Sequence, residues 1–494
     1  MQKEYKKNSK QIENRKKSAL PWYKDLRFYF ISVLFLLMIA LVAQLFIVKI
    51  IPMKYIAGGV VVLALLALML WWLQYGKRVN KINQILGKIL IVIVSILLIM
   101  GNMYLNKAGN VIGKITGSNT ETDAMSVIVK KDSDIEKIEQ LVDKKLGANE
   151  ATDKDNVLEA KQAISEEIGD TYSYQSYNSY DEEAAALYSG EIDAMILNEA
   201  YRGLLENNYP KFDEETKVIY THEITKEVED ISKDVDVTNT PFNVYISGID
   251  TYGPVTTKSR SDVNMIATVN PNTHVIVLTS IPRDYYISQT CQGGAKDKLT
   301  HTGIFGVDCT VSSVEQYFEI DINYYARVNF TSLIDIVDAL GGITVDNPNS
   351  FSGNNGTYFP IDSNLYITGS QALEFARERY AFSEGDRERG RNQMRVLTGM
   401  INKAISPAII TNYTSIMNAI GGSFQTNMSS DEISSLIHMQ LNEMSGWDII
   451  QQSVNGYGEM LISPANGFNS YMMIPHIDTV NAAVAKINEV MNAK

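Results

Sequence analysis

Two cysteines and five histidines in 494 residues leave little material for a metal site built on soft or imidazole ligands. Cys291 and Cys309 bracket one Gly-containing segment, while His222, His274, His301, His438 and His476 are scattered. A disulfide closing that segment and two unrelated thiols are both open readings. His301 falls inside the bracketed loop, where a structural role is expected. The chain also lacks a GxxxxGK[ST] phosphate loop, a GxSxG nucleophile elbow and an HExxH motif. Cations are in deficit, with 44 Lys and Arg against 57 Asp and Glu. That balance argues against a general nucleic-acid binder, which needs cations to displace counterions from phosphates.

The charge is unevenly placed. Residues 1–27 are polar and basic, carrying Lys3, Lys6, Lys7, Lys10, Arg15, Lys16, Lys17, Lys24 and Arg27. Three apolar runs follow at 28–47, 55–75 and 89–105, near the length of about 20 residues that a bilayer core demands. A secretory signal would leave one apolar core and a cleavage site, so three closely spaced runs predict three transmembrane helices over 28–105. Basic residues in the tail and around Lys77, Arg78, Lys81 and Lys88 predict a cytoplasmic N-terminus and an extracytoplasmic remainder. Residues 106–122, rich in Gly, Asn, Ser and Thr, read as a linker.

Residues 123–235 predict a small α/β accessory domain. Strand-like runs at 125–129, 194–197 and 218–220 alternate with helical spacing at 132–141, 156–168, 181–188 and 199–207. Tyr172, Tyr174, Tyr177 and Tyr180 lie around a Tyr/Ser turn; they are read as loop and core aromatics, with sugar stacking as the alternative. The polar stretch 221–240 reads as a connection to the next domain.

Over 236–494 the pattern predicts a larger layered sheet-and-helix α/β domain. Strand-like runs at 242–249, 263–269, 275–278 and 325–328 are joined by turns and by helical stretches at 309–318 and 333–340, the last ended by Gly341-Gly342. Strand ends are where such a domain presents polar side chains to a crevice. Asp250 ends the first strand and Asp262 enters the second; converging carboxylates need a cation, and a hard oxygen set suits magnesium. Isolated surface aspartates are the competing explanation. Arg260 and Arg283 offer rigid forks of donors to phosphate oxygens, although Asp284 is an equally available partner for Arg283.

Further on, Arg377, Arg379, Arg387, Arg389, Arg391 and Arg395 follow a helical stretch at 370–376. An arginine-only run interrupted by Gly385 and Gly390 points to phosphate rather than to a solvated charged face. Arg377 and Arg379 converge only where the backbone leaves the helix between them. The stretch 392–401 reads as an amphipathic helix that buries Met394, Leu397 and Ile401 and turns Gln393 or Arg395 toward the cleft.

On these residues the chain resembles the LytR-CpsA-Psr family. The matching features are the GID segment with Asp250, Arg260-Ser261-Asp262, Ile281-Pro282-Arg283-Asp284, and the Arg377/Arg379 pair followed by Arg387, Arg389, Asn392 and Gln393. The resemblance covers roughly residues 242–405, and three spans plus an accessory domain resemble the capsule-associated streptococcal type. It implies a magnesium-dependent phosphotransferase at the outer membrane face of a Gram-positive bacterium. Such an enzyme moves a glycan-1-phosphate from undecaprenyl pyrophosphate to peptidoglycan, for capsular or related polysaccharide. Asp250 and Asp262 would hold Mg2+, one of them assisting deprotonation of the acceptor. Arg260 and Arg283 would act at the reacting phosphates, and Arg377, Arg379, Arg389 and Gln393 would bind the donor. A groove for the isoprenoid would use apolar residues of 323–349. The implied partners are the lipid-linked glycan, peptidoglycan, the bilayer and polysaccharide assembly proteins, with no nucleic acid. Two rival readings are a membrane-anchored regulator and a polyprenyl-phosphate-binding scaffold without catalysis.

Overall fold

A computed structural model describes residues 25–48, 51–76, 79–115, 120–206, 208–249, 254–406, 416, 424–465 and 467–494. Asp250, most of the basic tail, and Lys77 and Arg78 therefore lie outside the described residues. The chain divides into two compact units, Met1–Asn110 with Ile437–Asn442, and Val111–Leu436 with Glu443–Lys494.

The first unit holds α1 (Leu26–Val48), α2 (Met53–Tyr75) and all but the last residues of α3 (Lys81–Ile115), three continuous, largely apolar helices. Three segments are long and apolar enough to cross a membrane: Leu26–Ile47, Met53–Tyr75 and Lys81–Asn106. Leu34, Leu70 and Ile91 meet at their common core while most other apolar side chains face outward. Such an inside-out surface suits lipid. Arg27 pairs with Asp25 at 2.7 Å and lies 4.8 Å above the Tyr75 ring. The expected linker 106–122 is mostly regular structure, since α3 runs to Ile115 and the next strand opens at Thr120.

Among the described residues of the second unit, two sheets have more than two strands. The smaller has five strands, β1 (Thr120–Lys130), β2 (Lys145–Asn149), β3 (Ser173–Tyr177), β4 (Ala194–Asn198) and β5 (Thr216–Glu227), in the order β3-β2-β4-β1-β5. Its helices α4 (Lys154–Ile168) and α5 (Tyr180–Ser189) belong to cores that contain Val157, Ile164, Ala184 and Leu187. Three expectations need correction here. The stretch 132–141 forms only a 3-10 turn, Ile138–Leu141. Ser133 Oγ accepts from Ile135 N at 3.2 Å, a local bond that competes with helix formation. The Tyr/Ser segment is β3, a half-exposed edge strand parallel to β2. The start of the supposed connection 221–240 is instead the end of β5, which runs to Glu227 and pairs with β1 down to Thr120 opposite Glu227. Polar edge strands of this kind resist further pairing, which hides them from a hydrophobicity pattern.

The larger sheet is built from β6 (Phe242–Ile249), β7 (Ser261–Asn270), β8 (Val275–Ile281), β9 (Tyr324–Val328), and, after a hairpin of β10 (Ile343–Asn347) and β11 (Asp362–Ile367), from β12 (Gln425–Thr426) and β13 (Asp448–Ser453). Its order is β12-β9-β6-β7-β8-β13. Strand alternation sends Tyr245, Ile266 and Tyr325 to one face. There they pack under α6 (Val307–Phe318) and α10 (Ile477–Asn492), through Val311, Val314 and Ile487. The opposite face carries Met265, Ala267 and Leu278 against Met394 of α9 (Asp386–Ala404). The result has helices on both faces of the sheet, a form of the layered sheet-and-helix domain that the sequence predicts. Cys291 and Cys309 form a disulfide with a Cα–Cα distance of 5.4 Å, tying the loop after β8 to the first turn of α6.

Candidate functional site

On the α9 side of the large sheet lies a cavity of about 690 Å3. Its walls are β6, β7 and β9, with α7 (Phe330–Ala339), α8 (Gly369–Arg377) and α9. Asn329 caps α7, accepting from Ser332 N at 2.9 Å, which starts the helix directly at the end of β9. From there Phe330, Leu333 and Ile336 turn one face into the cavity. The stretch 323–349 thus supplies one wall of the apolar interior. Ile246, Met265, Leu373, Val396, Leu397 and Met400 complete it from other elements.

The register of β6 against β7 explains how Asp262 enters this space. Gly248 stands opposite Val263 but Ile249 stands opposite Ser261, so Asp262 is the extra residue of a β-bulge. A bulge re-aims the side chain that a regular strand would commit to one face. Arg283 Nη1 donates to Asp262 Oδ2 at 2.8 Å and Thr300 Oγ1 donates to Oδ1 at 2.9 Å. Burial raises the Asp262 carboxyl, but the guanidinium groups of Arg283, Arg260 and Arg389 outweigh it and hold the group below the usual carboxylate range. The surrounding guanidinium groups therefore favour the ionised carboxylate.

Arg283 leaves β8 just after Pro282. Burial alone would lower its pKa, yet Asp262, Asp284 and Asp386 raise it above the ordinary arginine value. Its pairing with Asp284 is loose, at 4.0 Å, and its buried Nε has no hydrogen-bond acceptor. A buried N–H left open in this way is a place for a ligand oxygen.

Arg377 and Arg379 approach the same mouth because the helix ends between them. Glu378 follows the last residue of α8 with φ −65° and ψ 129°, an extended conformation. Its buried carboxylate accepts from Tyr380 N at 2.7 Å and Ala381 N at 2.9 Å, fixing the turn. The Arg377 guanidinium lies 4.1 Å above the Phe330 ring, and Arg379 Nη2 donates to Tyr380 Oη at 2.6 Å. Arg389 and Gln393 lie four residues apart on α9 and share its cavity face. Arg389 pairs with Asp386 at 2.5 Å, and burial with the nearby Arg283 and Arg379 lowers its pKa despite that partner.

Arg260, Asp262, Arg283, Arg377, Arg379, Arg389 and Gln393 all line this one cavity. Five guanidinium groups face three carboxylates, Asp262, Glu206 and Glu374, so the cavity is locally cationic within a chain of net charge −13. The remaining arginines have other roles. Arg395 does not turn to the cleft; its Nη1 donates to Glu388 Oε1 and Asn392 Oδ1, each at 2.6 Å. Arg391 pairs with Glu388 and Glu384, and Arg387 donates to Gly456 O at 2.9 Å. The four accessory tyrosines are absent from the lining: Tyr174 lies beneath Lys161, and Tyr180 packs against Tyr201. His301 is buried against Asp297.

Sequence reasoning missed Thr300, Glu378 and Glu206. Thr300 is remote from Asp262 in sequence, and Glu378 between two arginines resembles an ordinary surface acid. Glu206 belongs to the accessory segment, where nothing in the spacing pointed to this cavity. Among the described residues no cluster of three or more His, Cys, Asp or Glu forms a ready metal cage.

A sequence model described as the LytR_cpsA_psr family matches residues 209–486. Another, described as a DNA polymerase processivity factor, matches residues 81–197, a span that joins α3 to the smaller sheet. Similar curated proteins include the polyisoprenyl-teichoic acid–peptidoglycan teichoic acid transferase TagU of Bacillus cereus, 37% identical over 194 residues, 39% of this chain and 62% of the relative. The enzyme of the same name from another Bacillus cereus strain is 31% identical over 266 residues, covering 54% of this chain and 76% of the relative. The chain thus spans less than two thirds of the first of these relatives. Among solved structures, Bacillus subtilis TagU is 29% identical with a TM-score of 0.41, over 52% of this chain and 99% of that one. Bacillus subtilis TagV is 26% identical with a TM-score of 0.43, over the same shares of the two chains.

Proposed function

This chain belongs to the LytR-CpsA-Psr family, and on that premise we propose that it is a cell-wall glycopolymer transferase. Its donor is a glycan on undecaprenyl pyrophosphate, its acceptor a hydroxyl of peptidoglycan, and its released product undecaprenyl phosphate. One observation carries this reading. A single cavity joins a mouth of five arginines to an apolar interior, matching a pyrophosphate on a long isoprenoid. The names of the relatives support the donor and acceptor classes. Capsular or related polysaccharide is the polymer we assign, and the three apolar helices anchor the chain with its remainder outside the cytoplasm.

In the transfer, the acceptor oxygen forms a bond to the phosphorus nearest the glycan. The bond from that phosphorus to the bridging oxygen breaks, and its electron pair leaves with undecaprenyl phosphate. As the new bond forms, the acceptor O–H bond breaks and its proton is taken up by the departing undecaprenyl phosphate. Arg260, Arg283, Arg377 and Arg379 hold the phosphate oxygens and compensate charge on the transferred and leaving groups. Arg389 and Gln393 contact the donor beside them. Asp262 orients Arg283 through a 2.8 Å hydrogen bond.

Asp262 also fits one ligand position for magnesium. Each of its oxygens receives one donor and keeps a lone pair, and magnesium sites commonly combine one or two carboxylates with substrate phosphates. Bound there, the ion would neutralise pyrophosphate charge. Asp250, the second proposed ligand, lies outside the described residues.

The full chain should bind polyprenyl pyrophosphate at least tenfold more tightly than either inorganic pyrophosphate or the prenyl alcohol, measured by competition against a fluorescent prenyl pyrophosphate. Equal affinity for all three would remove the link between the mouth and the interior.

A further inference from the structure

The cavity mouth draws on the accessory sheet as well as the large one. Thr122 of β1 donates its N–H to Thr256 O at 2.9 Å and accepts from Lys258 N at 2.8 Å. Lys258 Nζ then lies 3.3 Å from Asp123 and 3.8 Å from Glu121, two carboxylates nearly sealed from water. This lysine fastens the segment leading into β7. Two residues further on, Arg260 Nη1 donates to Gly203 O at 3.1 Å, and Nη2 stands 3.7 Å from Glu206 Oε2. Gly203 and Glu206 follow β4, so both come from the accessory side. A methyl group on Gly203 would overlap the Arg260 guanidinium, which makes glycine the residue that admits this contact. The attachment is firm: Ile304, which precedes α6, is buried in the same cluster as Leu197, Leu204 and Leu205.

We propose that the accessory sheet is a working part of the anion site, in which Gly203 fixes the aim of Arg260 and Glu206 tunes its availability to the pyrophosphate. Both are positioning residues acting through Arg260. The inference rests on the proposed transferase reading, because it takes the ligand of Arg260 to be a prenyl-linked pyrophosphate. Without ligand, the Glu206 carboxylate faces the guanidinium. A bound pyrophosphate must displace or tolerate that negative charge, so the carboxylate opposes binding while the glycine promotes it.

The two substitutions should therefore move affinity in opposite directions. Farnesyl pyrophosphate is titrated into the full chain and its variants, with unfolding midpoints measured in parallel. Gly203→Ala should weaken binding about tenfold, the scale of one charge-assisted hydrogen bond. In an Arg260→Ala background the same change should cost nothing further. Glu206→Gln should tighten binding about threefold by removing a like charge from the site. The Glu206 side chain is 52% exposed, so this variant folds and carries the test alone if Gly203→Ala does not.

Wild-type affinity in Gly203→Ala, an undiminished loss in the Arg260→Ala background, or weaker binding by Glu206→Gln would each overturn the proposal. If these failures occur while Arg377→Ala still weakens binding, the transferase reading stands without an accessory contribution. If the unmodified chain does not bind farnesyl pyrophosphate, both fall together.

Discussion

Arg377 illustrates what a single side chain does at this site. It is held over the Phe330 ring at 4.1 Å and lines the cationic mouth. Replacing it with alanine removes a charge-assisted contact worth about 1.5–3 kcal/mol, so Arg377→Ala should weaken pyrophosphate-lipid affinity roughly tenfold to a hundredfold. Titration of a prenyl pyrophosphate into the full chain checks this; unchanged affinity would remove Arg377 from the clamp. The arginines were legible in the sequence because a run without lysine is unusual on a solvated face. What the sequence withheld was the sorting within that run. Arg395 and Arg391 have the same chemistry as Arg389, and only the placement of Glu388 decides that they serve α9 instead of the cavity. The convergence of Arg377 and Arg379 likewise depends on the extended backbone of Glu378, a property of the turn and its buried carboxylate rather than of spacing.

Two elements convert these residues into a site. The bulge at Asp262 places a carboxylate among arginines, and α9 runs from its polar first turns at Arg389 and Gln393 to Leu397 and Met400 along one cavity-facing stripe. On the proposed reading, head-group and chain recognition share one helix. Leu397→Asp should put an unmatched charge beside the apolar interior and lower affinity for a long prenyl pyrophosphate more than tenfold, leaving inorganic pyrophosphate binding within about twofold. Parallel titrations with the two ligands check it, and an equal loss for both would show that the helix itself has been disturbed. The stripe was visible in sequence as helical periodicity over 392–401, while its extension back to Asp386 was concealed by charge. Strand alternation gave β6 to β9. It did not give β3 or the tail of β5, whose polar side chains belong to sheet edges. Nor could alternation locate the bulge, because register is a relation between two strands.

Across the second unit, long-range polar ties hold the pieces around the cavity. Ser463, from the hairpin of β14 (Gly456–Ile462) and β15 (Asn469–Pro475), donates to Asp297 at 2.8 and 2.9 Å, and His301 Nδ1 lies 3.0 Å from the same carboxylate. Burial raises the Asp297 carboxyl, but His301, Ser463 and the Lys298 N–H outweigh it and the net direction is downward. A carboxylate depressed by folding stabilises the protein fully above its unfolded value, near 3.9, and loses that contribution as pH falls through the lower folded value. Asp297→Asn should flatten part of the acid limb of stability below about pH 4, and urea midpoints measured from pH 6 to pH 2.5 test it. Parallel acid limbs in wild type and variant would assign this stabilisation elsewhere. Sequence alone foresaw a structural His301 but not the shared carboxylate of Asp297, whose other partner, Ser463, is 166 residues away. The three apolar N-terminal helices and a layered α/β domain were legible because their hydrophobic patterns are local. The joining of the accessory sheet to the site was hidden because it rests on Thr122, Lys258 and Gly203, residues with no pattern of their own.

Transfer by this chain is tested directly by one assay. The full chain in a bilayer mimic is given a polyprenyl-pyrophosphate-linked oligosaccharide and peptidoglycan, with and without Mg2+, and glycan joined to wall material is followed. Metal-dependent attachment is expected, with release of polyprenyl phosphate, and its loss in Asp262→Ala by at least about a hundredfold, on the scale of removing one electrostatic element of a phosphoryl-transfer site. Tight binding of a verified donor without any transfer to a verified acceptor would contradict it.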